Sequence, residues 1–90
     1  MAETTTPTRE DLGRYMVVEL QPRPPGRKTD RWHILNSSGG GFLAVIEWYS
    51  PWRRYALGSV AFSAVFSDDC IDDISRFLKR VNAEHRKGRK

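Results

Sequence analysis

The sequence predicts an α+β fold, an antiparallel sheet of three to four strands packed against one C-terminal helix. Three observations predict it. Residues 31–36 and 42–58 are rich in β-branched and aromatic residues and are divided by turn signals, Ser37 to Gly41 and Ser50-Pro51. From Cys70 to Val81 the apolar residues instead recur at three- and four-residue spacing. The chain is 90 residues long, enough for one domain, in which a helix stripe and a sheet face must cover each other.

Residues 1–12 open polar and Thr-rich, without hydrophobic periodicity, and read as a disordered leader. The single domain is expected over residues 13–87, with a basic tail over 88–90. Residues 13–20 form the first strand, with Tyr15, Val17 and Glu19 facing one way and Met16, Val18 and Leu20 the other. Three prolines and a glycine in residues 21–30 forbid a regular element. This loop carries Arg23, Arg27 and Lys28, either as a solvated connection or as an arm that contacts phosphates. In the next strand, residues 31–36, Trp32 and Ile34 share a face.

The stretch 42–55, FLAVIEWYSPWRRY, reads as a hairpin with aromatic and cationic groups near its tip. A two-residue turn would pair Tyr49 with Trp52 and set Glu47 across from Arg54. It also places Phe42, Ala44, Ile46, Trp48, Arg53, Tyr55 and Leu57 on one face. Pro51 fits such a turn only with a cis bond, so a three-residue loop is the alternative. Residues 59–67 connect to the helix with Phe62, Val65 and Phe66 as anchors and a short edge strand near 64–66. Ser67 or Asp68 caps the helix, and Asp68, Asp69, Asp72 and Asp73 crowd its positive end. Its stripe is Cys70, Ile71, Ile74, Phe77, Leu78 and Val81.

Fifteen Lys and Arg stand against 11 Asp and Glu, a net charge of +4. That balance serves solubility, and it also suits nucleic acid or an acidic host protein surface as partner. The lone Cys70 excludes an intramolecular disulfide and a cysteine metal cage, and it reads as core. No apolar run nears the roughly 18 residues of a membrane span, and no signal peptide is read, so a cytoplasmic location in a bacterial host is expected. His33 and His85 stand beside no nucleophile or acid in the pattern, and Gly39 to Gly41 lack the lysine and helix of a phosphate loop. We therefore expect no enzyme, cofactor or metal. Tyr49, Trp52, Arg53 and Arg54 offer stacking and bidentate hydrogen bonding, so they are the candidate binding residues, with Arg27, Lys28, Arg86 and Lys87 adding positive charge. A monomer or homodimer is expected.

Leu43-x-x-Ile46-x-Trp48-Tyr49-x-x-Trp52-Arg53-x-Tyr55, Phe66-x-x-x-Cys70-Ile71-x-Asp73-Ile74-x-x-Phe77 and Asn82-x-x-His85-Arg86 resemble a family of small phage and prophage proteins, over about residues 39–87. The connector departs from that pattern: Leu57-Gly58-Ser59-Val60 stands where the family carries aromatic and proline residues. The resemblance implies a non-enzymatic accessory role. The predicted architecture also resembles the sheet-reading DNA-binding domains of some integrases and plant transcription factors, a likeness of fold alone.

Overall fold

A computed structural model describes residues 8–88. Five strands, β1 (Arg9–Leu12), β2 (Met16–Leu20), β3 (Arg31–Asn36), β4 (Phe42–Tyr49) and β5 (Arg54–Gly58), form one antiparallel sheet in chain order. The helix α1 (Asp68–Gly88) covers one face. The α+β class stands, but the sheet has five strands rather than three to four. The additional strand, β1, falls within the expected leader. Its side chains alternate, with Leu12 buried in the core and Glu10 beside it bonded to Arg80 of the helix at 2.8 Å. Leu12 is the one apolar residue of its four, so no alternation registers in sequence, and pairing with β2 supplies the rest. Residues 1–7 of that leader, and Arg89 and Lys90 of the expected tail, lie outside the described residues.

Gly13 makes the β1–β2 turn with a φ of +74°. A Cβ there would overlap the Asp73 carboxylate on α1, so the turn sits directly against the helix. Gly13→Ala combines an unfavourable backbone with that overlap. It should lower stability by about 1–3 kcal/mol, read as a lower urea midpoint with an unchanged slope.

The face beneath the helix buries Met16, Val18, Trp32, Ile34, Ala44, Ile46 and Tyr55 against Cys70, Ile74, Phe77 and Val81. Ser67 caps the helix, its Oγ accepting from the Cys70 amide at 3.2 Å. Ile71, expected in the stripe, is exposed, because the packed arc is centred on the residues at 70, 74, 77 and 81. Aromatic edges bind the two layers. Trp32 meets Phe77 at 5.3 Å and Tyr55 at 5.2 Å, both nearly perpendicular.

Two details of β4 differ from the predicted hairpin. A register shift between Ile34 and Leu35 pairs Ile34 with Ala44 but Leu35 with Phe42. The extra residue turns Phe42 to the open face, where it meets His33 edge-on at 5.4 Å, and packs Leu43, half-buried, against the core instead. At the other end Tyr49 pairs with Arg54, not Trp52. Ser50–Trp52 forms a 3-10 turn with Pro51 in its first turn, and Arg53 closes it with φ 53°. All described peptide bonds are trans. This four-residue loop shifts the pairing by two, an even number. Trp48 and Tyr55 therefore keep a common face, and Arg53 leaves the sheet. Glu47 sits opposite Ala56 and bonds Arg31 on β3 at 3.0 Å rather than Arg54.

The connector forms no strand. Ala61 donates to the Leu43 carbonyl at 2.8 Å and Phe66 packs on the core, but Phe62 and Val65 are exposed rather than anchored. Turning at Ala61–Ala64 (3.1 Å) to start the helix leaves both side chains outward.

Candidate functional site

Antiparallel pairing gathers one end of the molecule. The β2–β3 loop, the β4–β5 tip and the C-terminal end of α1 meet there. Tyr55 is the joint. Its hydroxyl accepts from the Asp30 amide at 3.1 Å. Its backbone N–H donates to the Asn82 side-chain oxygen at 2.7 Å, and its carbonyl accepts from the Asn82 amide nitrogen at 3.2 Å. Trp48 lies between Tyr55 (5.2 Å) and His85 (4.5 Å). β5 is an edge strand, so Tyr55 offers its N–H and C=O outward, and Asn82 satisfies both as a neighbouring strand would.

Beside that joint runs a cleft of about 460 Å³, between the edge of β5 and the flank of α1. Arg54 to Leu57 form one wall, with Trp52 at the mouth. Ser75, Leu78, Lys79, Asn82 and Arg86 form the other, spaced three and four residues apart along one helical face. Arg54, Lys79 and Arg86 thus line it, and no carboxylate does. Trp52 is 65 % exposed and is held edge-on against Tyr49 at 4.9 Å.

Other arginines are differently employed. Arg9, Arg23, Arg31, Arg76 and Arg80 form ion pairs with Glu19, Asp30, Glu47, Asp73 and Glu10. None of Arg54, Lys79 and Arg86 pairs with an acid among the described residues.

Of the residues singled out in the sequence, the structure brings Trp52, Arg54 and Arg86 into the cleft. Tyr49 and Trp52 also line a smaller apolar hollow of about 220 Å³ with Trp48 and Leu57. Lys28 lies in a separate cavity of about 240 Å³ that it shares with Asp30, Glu84 and His85. The Arg27 guanidinium turns back to the Thr29 carbonyl at 3.2 Å. Arg53 and Lys87 are exposed and line none of these cavities. Lys79 was missed. Helical spacing from Arg86 was the signal available, since positions seven apart share a face.

Burial raises the Tyr55 phenol above its ordinary value of 10.0, more than its hydrogen bond from Asp30 lowers it. A raised folded value stabilises the protein fully below the unfolded value and is lost as pH climbs through the folded one. Stability should therefore fall above about pH 10, with a shallower fall in Tyr55→Phe, as thermal melts across that range would show.

The chain is similar to a phage protein. It is 27% identical to an uncharacterized 9.3 kDa protein of Acholeplasma phage L2 over 62 residues, 69% of this chain and 78% of the relative. No family model matches, and no solved structure matches. The similarity agrees with the expected resemblance to small phage proteins. No helix among the described residues is long and apolar enough to cross a membrane.

Proposed function

We propose that this protein is a small phage-type accessory module that binds nucleic acid at the tip of β4–β5 and the adjoining cleft. The observation carrying this reading is the joint placement of Arg54, Lys79, Arg86 and an exposed Trp52 around a cleft without a carboxylate. Cations free of internal partners attract phosphates, and an exposed indole offers a base-stacking face. Polarisation titration with mixed-sequence nucleic acid should show binding at about 50 mM salt that weakens as salt rises. Binding no tighter than that of a neutral control protein ends the proposal.

One observation favours a second reading, a protein-binding regulator of a host complex. Phe62 is fully exposed and Val65 85 % exposed on the connector, as an apolar contact with another protein would require. Capture of a stoichiometric host protein that survives nuclease treatment, and is lost in Phe62→Ser, would establish this reading over the first.

A further inference from the structure

Resting on the nucleic-acid reading, we infer that the β5–α1 cleft takes a single strand and not a duplex. Its volume, about 460 Å³, is that of a small-ligand site, room for a nucleotide or two. The two Asn82 hydrogen bonds to Tyr55, 2.7 and 3.2 Å, tie helix to strand along its floor and hold the walls at this separation. A duplex could touch only the rim. Its bases, already stacked on one another, would leave the face of Trp52 unused, whereas an unpaired base can stack there.

The cations are arranged for a backbone passing along the cleft. Arg54 stands on the strand wall, and Lys79 and Arg86 stand two helical turns apart on the other. Polar groups for base edges are present too. Tyr55 turns its N–H and C=O outward to Asn82, and by the alternation of an antiparallel edge Leu57 points its own the same way, into the cleft. Asn82 blocks the edge at Tyr55, which leaves too little free edge for an added protein strand but enough for one base.

The test uses the full chain with a fluorescently labelled pyrimidine 12-mer, alone and annealed to its complement. The single strand should bind more tightly. With three phosphate contacts its affinity should fall about 20-fold between 50 and 200 mM salt, a logarithmic slope near −2. Lys79→Ala should reduce the magnitude of that slope by about 0.7, and Trp52→Ala should weaken binding roughly 5- to 100-fold. Arg14→Ala, at the opposite end by the β1–β2 turn, should change neither. Circular dichroism confirms that each variant is folded. Equal or tighter binding of the duplex overturns the single-strand inference and leaves the nucleic-acid reading standing. Binding of neither form overturns both. A slope unaltered by Lys79→Ala places the strand outside the cleft and overturns the inference as well.

Discussion

Phe77→Ala should cost about 3–5 kcal/mol, a large share of what a domain of this size has, roughly 5–13 kcal/mol. Phe77 is 4% exposed at the centre of the helix stripe, edge-on to Trp32 at 5.3 Å. Trp32 in turn meets Tyr55, and Tyr55 meets Trp48, so the ring removed links the middle of the helix to a chain of perpendicular aromatics across the sheet, which His85 reaches from the helix end. The cavity could not collapse easily, because Trp32 is held by the sheet and Cys70, Ile74 and Val81 by the same rigid helix. Arg80 would also lose the ring over which its guanidinium lies at 5.0 Å. Phe77→Leu keeps most of the buried volume and should lose much less. Urea titration of both variants measures this; similar midpoints for Phe77→Ala and the unaltered protein would show that the helix does not carry the core as argued.

Asn82→Ala should cost about 1–3 kcal/mol although alanine is the better helix former. The substitution leaves the Tyr55 N–H and C=O without partners at the floor of the cleft. Hydrogen exchange at the Tyr55 amide should accelerate well beyond that of its neighbours in β5. Asn82→Asp separates the two bonds: a carboxylate still accepts from the N–H but cannot donate to the carbonyl. That variant should be intermediate in stability. It should nevertheless bind nucleic acid worse than Asn82→Ala, since it sets a negative charge beside Arg54, Lys79 and Arg86. If Asn82→Asp binds as well as Asn82→Ala, the cleft is not where phosphates lie.

The two ends of the molecule differ in charge for a local reason. Aspartates collect at the positive end of α1 and cations at its negative end, as the helix dipole favours. At the N-terminal end Asp73 is engaged with Arg76. At the other end the antiparallel topology adds the β4–β5 tip to the helix cations, so the basic ends of several elements meet. This asymmetry would orient the protein toward a polyanion before contact.

The sequence by itself determined the helix, a cap at Ser67 or Asp68 and most of its buried stripe. It also determined the alternation that puts Met16, Val18, Trp32, Ile34, Ile46 and Tyr55 on one face, because periodicity and capping are local properties of the chain. Exposure of Arg54 follows from the same alternation, unharmed by a turn two residues longer than the shortest one, since an even shift keeps each side chain on its face, whereas Trp52 is exposed because the 3-10 turn carries it off the sheet. Tertiary structure decided the rest. β1 exists because β2 offers it an edge and the helix covers Leu12 and Glu10. The bulge that turns Phe42 outward depends on pairing with β3. Lys79 belongs to the site only because Asn82 fastens its helix to the outer edge of β5, residues 27 apart in the chain. Which side chains share a face is written in local spacing, but which faces meet to form a cleft is set by long-range packing.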